Sequence, residues 1–157
     1  MTEMKKIIII FTFFLLYHCG FEPIHSEKKI INYNYSISSI GFSGENIINN
    51  ELKNRLSNYL DKDKKIVQFD LNINSVVQKS VTSKNKKGNP ETFFMEIIIN
   101  LDVFKDSKLV STKIFEENFE YNNKSSKFEL GKYEKNIQKN LSQKLSEYII
   151  RHLYSIK

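Results

Sequence analysis

Val67-Gln68-Phe69-Asp70-Leu71-Asn72-Ile73-Asn74 is the stretch that decides the fold. Apolar and polar residues alternate through it without a break. A period of two puts Val67, Phe69, Leu71 and Ile73 on one face of an extended chain and the polar set on the other. The strand is therefore buried on one side and wet on the other, as in an antiparallel or mixed sheet covered on a single face.

The same pattern recurs downstream. Phe93, Met95, Ile97, Ile99, Leu101 and Val103 alternate with Glu96, Asn100 and Asp102. The short polar step Lys105-Asp106-Ser107-Lys108 leads to a further extended run from Leu109 to about Tyr121, and so short a connection predicts an antiparallel hairpin. The pattern of that last run changes phase near Phe115, which suggests a bulge or a sheet edge there. Upstream, Tyr33, Tyr35 and Ile37 alternate with Asn32, Asn34 and Ser36 in a first strand that ends near Gly41.

Two segments carry helical spacing instead. Ile48, Leu52, Leu56, Tyr59 and Leu60 recur at three and four, behind Ser43-Gly44-Glu45, where Ser43 is the expected N-cap. Leu130, Tyr133, Ile137, Leu141, Leu145, Tyr148, Ile149, Leu153 and Ile156 form a long terminal stripe, capped by Ser125 or Ser126. The order is β-α-β-β-β-α. It predicts an α+β two-layer sandwich, with a four-stranded, largely antiparallel sheet and both helices on one face. The other face carries Ser36, Asn72, Asn74, Glu96 and Asn100, and should meet water or a partner.

The N-terminus has a different character. Lys5 and Lys6 precede an apolar run, Ile7 to Leu16, which ends at Cys19, the one cysteine of the 157-residue chain. The run is shorter than the roughly 20 residues a spanning helix needs and suits the apolar core of a signal peptide. A cysteine at its end predicts lipidation at Cys19, with residues 1–18 as leader, 19–31 as a lipid-anchored tether and 32–157 as the folded domain. His18 stands where such leaders usually carry a small residue, so a signal cut elsewhere and an uncleaved anchor remain open. A lone cysteine excludes an internal disulfide.

The net charge is +6, and the leader accounts for +1 of it. A basic balance suits anionic partners, and export argues against nucleic acid among them. No catalytic constellation stands out, and neither a metal nor a cofactor is expected. The histidines His18, His25 and His152 are far apart in sequence, and the five glycines form no phosphate loop. His152, in the last turn of the terminal helix, reads as a residue favoured by the helix dipole. Glu116, Glu117 and Glu120 read as exposed strand residues. The remaining candidates are loop lysines: Lys84, Lys86 and Lys87 in one connection, Lys124 and Lys127 in another. In an antiparallel layer those two loops open at the same end, and could form one phosphate-binding patch.

Cys19-Gly20-Phe21-Glu22-Pro23-Ile24 resembles the Cys-Gly-Phe-x-Pro-Leu start of the LPS-assembly lipoprotein LptE family, especially its alphaproteobacterial members. The likeness continues as pattern through Tyr121-Asn122-Asn123-Lys124-Ser125-Ser126-Lys127-Phe128 and Ile149-Ile150-Arg151-His152-Leu153. The resemblance implies a non-enzymatic lipoprotein of the outer membrane, on its periplasmic side and held to the membrane by its lipid. Such a protein plugs and helps assemble the LptD β-barrel translocon, and binds lipopolysaccharide on its way to the outer leaflet. Lys84, Lys86, Lys87, Lys124 and Lys127 are the regional candidates for that binding. The other reading is an auxiliary lipid-anchored component of an ABC-type envelope transport system.

Overall fold

The computed structural model describes residues 35–60 and 67–156. Cys19, the leader 1–18, the tether 19–31, His18 and His25 lie outside them. The elements run in the expected order: β1 (Tyr35–Gly44), α1 (Asn46–Leu56), a 3-10 turn (Ser57–Tyr59), β2 (Val67–Lys84), β3 (Pro90–Lys105), β4 (Lys108–Asn122) and α2 (Lys127–Ser155). The strands form one sheet in the order β1-β2-β3-β4. β1 and β2 are parallel, joined through α1, and the other two pairs are antiparallel.

The alternation that predicted the strands also fixes which face is covered. Phe69, Leu71 and Ile73 on β2 and Met95, Ile97, Ile99, Leu101 and Val103 on β3 are fully buried, and each polar neighbour faces away. Against that floor lie Ile48, Leu52 and Leu56 of α1 and Ile137, Leu141, Leu145, Ile149 and Leu153 of α2. Burying a side chain of this size contributes about 1.5–3 kcal/mol, so the helices are held chiefly by their stripes. Arg55 of α1 donates to Gln143 of α2 at 2.8 Å, and Tyr35 of β1 donates to the Ile150 carbonyl at 3.1 Å.

Four local readings change. Ser43 is not the cap of α1. It is a strand residue that accepts from Asn74 at 2.9 Å, and Glu45 takes the N-cap position without a side-chain hydrogen bond. The turn into α1 is made by Gly44, with φ +88° and its α-carbon so close to β2 that a Cβ would lie 1.9 Å from the Ser75 carbonyl oxygen. Buried Ser75 donates to Asn49 at 2.7 Å and accepts from the Glu45 amide at 2.9 Å, which supplies the capping that Ser43 does not. Ser36 does not join the exposed polar face; a shift of register between Ile37 and Ser39 leaves Tyr35, Ser36 and Ile37 all buried.

Of the two alternatives for the phase change near Phe115 the bulge fails and the sheet edge holds, since β4 is an edge strand. The register shift of the hairpin sits at Val103/Phe104, and Phe115 pairs regularly with Ile99. The apolar pattern changes because Ile114 lies on the open face, 54% exposed, whereas Phe115 turns inward to Tyr148 and His152. The β3–β4 turn has positive φ at Asp106 (51°) and Ser107 (62°), the two-residue geometry that matches the twist of a hairpin. Finally, the α1 stripe ends at Leu56; Tyr59 and Leu60 fall in and after the 3-10 turn, and Leu60 bridges to Ile37.

Candidate functional site

β1 ends and α1 begins beside Ser75, which pairs with Gly44 and accepts from the Glu45 amide. β2 continues for nine residues to Lys84, about 30 Å further, paired with β3 and roofed only by the first half of α2. At the tip of this extension lie both lysine loops.

The first loop owes its shape to Asn85. Its side-chain oxygen accepts from the amides of Lys87 and Asn89 at 2.9 and 3.0 Å, and its carbonyl accepts from Gly88 at 2.9 Å. This closes a turn in which Gly88 takes φ +81° and the side chains of Lys86 and Lys87 are left in solvent. The second loop is tied to the start of β3, directly after the first. Asn123 donates its backbone amide to the Glu91 carbonyl at 2.7 Å and its side chain to the Pro90 carbonyl at 2.9 Å. Both connections therefore open at one end of the sheet, as the spacing argument expects.

Ser126 then caps α2, accepting from Glu129 at 3.5 Å, one of the two alternatives the sequence offered. Lys127 is the first residue of the helix, where the dipole disfavours a cation. Its charge is therefore not there to stabilise α2. Lys124 holds its ammonium 4.6 Å from the centre of the Tyr133 ring. The other four lysines are exposed and make no ion pair among the described residues. Between 84 and 91 and between 122 and 129, five lysines face only Glu91 and Glu129.

Sequence reasoning missed two contributors. Phe128, in the first turn of α2, is 80% exposed, more than any other large apolar residue among the described residues. It falls outside the stripe that begins at Leu130, and that was its signal. Lys79 lies 4.2 Å over the Phe93 ring and pairs with Glu134, which also accepts from the buried Tyr121 hydroxyl at 2.8 Å. Burial, then the hydrogen bond and charge of Glu134, hold the Tyr121 phenol above the ordinary tyrosine range. This polar and aromatic group fastens the start of α2 to the extension.

His152 is not a dipole-favoured cation. It is half-buried, lies 2.8 Å from the Ser111 hydroxyl and edge-on to Phe115, and burial followed by the nearby Lys113 charge lowers its pKa. Glu117 accepts from Tyr148 and Lys144, so it is a strut between β4 and α2. Among the described residues no group of three His, Cys, Asp or Glu could hold a metal ion, and no helix is long and apolar enough to cross a membrane.

This arrangement of a mixed four-stranded sheet, two helices on one face and long terminal hairpins is one that bacterial lipoproteins use. The chain is similar in structure to rare lipoprotein B of Shewanella oneidensis (TM-score 0.58, 14% identity, 74% of this chain and 94% of that one). It is similar also to a minor lipoprotein of Acinetobacter baumannii (TM-score 0.54, 10% identity, 75% and 91%) and a putative lipoprotein of Caulobacter crescentus (TM-score 0.53, 9% identity, 79% and 92%). At these identities the likeness establishes the fold. No family model and no curated protein matches the sequence.

Proposed function

We propose that the chain is an envelope lipoprotein, anchored through Cys19 on the periplasmic side of the outer membrane, that binds lipopolysaccharide at the lysine-bearing end of its sheet. In this reading it plugs and helps assemble an LptD-like β-barrel and works by binding, without catalysis or a cofactor. The observation that carries the proposal is that both lysine loops open at one end of the sheet, where α2 begins with Lys127 and the exposed Phe128. Lys84, Lys86, Lys87, Lys124 and Lys127 offer charge-assisted contacts to phosphates, and an exposed aromatic next to them suits a ligand that is anionic at one end and apolar at the other. The fold shared with lipoproteins supports the envelope assignment.

The test is binding of purified lipopolysaccharide to the full chain and to a variant with all five lysines changed to alanine. Affinity should fall by about tenfold or more, with a shallower salt dependence, while the denaturation midpoint stays within about 0.5 kcal/mol of wild type. Equal affinity and equal salt dependence would reject the site. Capture from detergent-solubilised envelopes should then recover an outer-membrane barrel; recovery of an inner-membrane transporter instead would reject the plug role.

A further inference from the structure

The uncovered face of the sheet carries a second polar site, well away from the lysines. Cross-strand register lines up three consecutive rungs there: Ser39–Asp70–Phe104, then Gly41–Asn72–Asp102–Thr112, then Ser43–Asn74–Asn100–Ile114. Hydrogen bonds fix the surroundings. Ser39 donates to Asp70 at 2.7 Å, Asn74 to Ser43 at 2.9 Å, and Thr112 to Asp102 at 2.7 Å. The two central carboxamides, Asn72 and Asn100, make no side-chain hydrogen bond among the described residues. Gly41 shapes the floor: a Cβ there would lie 2.7 Å from the Asn72 side-chain oxygen, so the missing side chain gives that carboxamide its place. The result is a shallow depression of about 350 Å³ lined by Gly41, Ser43, Asn72, Asn74, Asn100 and Asp102.

The chemistry of this lining selects a ligand class. Asn72 and Asn100 each present a donor and an acceptor, and Asp102 keeps one carboxylate oxygen beyond the one Thr112 uses. Such a set pairs with groups that donate and accept together, as neighbouring hydroxyls do. Among the described residues no lysine or arginine lines it, and Asp102 with nearby Asp70 repels anions. An apolar ligand would leave the carboxamides dry and unpaired. Phe104, half-buried, and Ile114 continue the face toward β4 and offer an apolar surface to C–H groups. We propose that this depression binds a neutral saccharide through Asn72, Asn100 and Asp102. It does not depend on the lysine site, since Asn74 and Lys84 are ten residues apart along β2, about 33 Å.

The experiment is NMR of the 15N-labelled full chain during titration with maltose, glucose, galactose and N-acetylglucosamine. At least one sugar should give saturable shifts of the Asn72, Asn74 and Asn100 side-chain amides at millimolar concentration. In Asn100→Ala and Gly41→Ala the affinity should fall by about fivefold or more, whereas the five-lysine variant should bind the sugar normally. Asn100 is exposed, so its truncation leaves the core intact even if Gly41→Ala disturbs the strand. Absence of saturable shifts up to about 100 mM overturns the proposal. So does binding unchanged in Asn100→Ala, or shifts at these amides only in parallel titrations with glucuronate and glucose 6-phosphate.

Discussion

The two halves of the sheet are built on different physics. From Tyr35 to Ser75 four strands lie under two helices, and the contacts between the layers are nearly all apolar. Beyond Ser75 three strands lie under one helix. Val76, Gln78 and every residue from Lys79 to Lys84 are exposed on β2, and α2 is fastened by Glu134, Tyr121, Lys79 and Phe93. The first half has the burial needed to keep the chain folded. The second gives up burial to carry cations and an exposed phenylalanine out from the core. Residues can change there at little cost to folding, because few of them also pack.

The strongest way to break this contrast is in the packed half. Leu145 of α2 is fully buried, and Leu145→Ala should lower global stability by about 3–4 kcal/mol in chemical denaturation. A loss under about 1 kcal/mol would mean that the α2 stripe does not anchor the fold. A smaller effect is expected in the extension. Glu134→Ala leaves the buried Tyr121 hydroxyl and Lys79 without their partner and should cost about 1–2 kcal/mol. The loss should be local: amides of β2 beyond Val76 and of β3 before Met95 should exchange faster, while those around Leu71 and Leu101 keep their protection. Tyr121 should also ionise at lower pH in this variant. Uniform acceleration of exchange would erase the distinction between the halves.

The smallest expected effect concerns His152, a polar spot in the packed half. Its pKa in the folded protein is lowered by burial first and by Lys113 second, so the unfolded chain binds the proton more readily. Neutral His152 therefore contributes stability above the ordinary histidine pKa, about 6.5, and that contribution is lost as pH falls below it through the folded-state value. His152→Gln should flatten the stability profile below about pH 6.5. An unchanged slope would assign the acid sensitivity of the fold to other groups.

Much of this was legible in residue order. The alternation of Val67 to Asn74 and of Phe93 to Val103 specifies strands and their wet face together, and the stripe of Ile137, Leu141, Leu145, Ile149 and Leu153 specifies α2. What escaped reading depends on partners distant in sequence. Ser43 looks like a cap locally, but Asn74 claims it and Ser75 serves the helix end. Glu117 looks exposed until Tyr148 and Lys144 fold over it. The Phe115 irregularity suggested a bulge or a sheet edge, and proved to be two apolar residues on opposite faces of an edge strand. At the candidate site, loop order alone placed both lysine clusters at one end. The hydrogen bonds of Asn123 that hold the second loop to the start of β3 involve backbone carbonyls, which no sequence pattern marks. Phe128 could have been noticed as an apolar residue off the stripe.

The parallel pairing of β1 with β2 also fixes a direction. Tyr35 enters the sheet beside Val67, at the pole opposite Lys84 and Phe128, about 55 Å away along β2. Whatever meets the lysine end is therefore held a full strand length from the point where the chain enters the sheet.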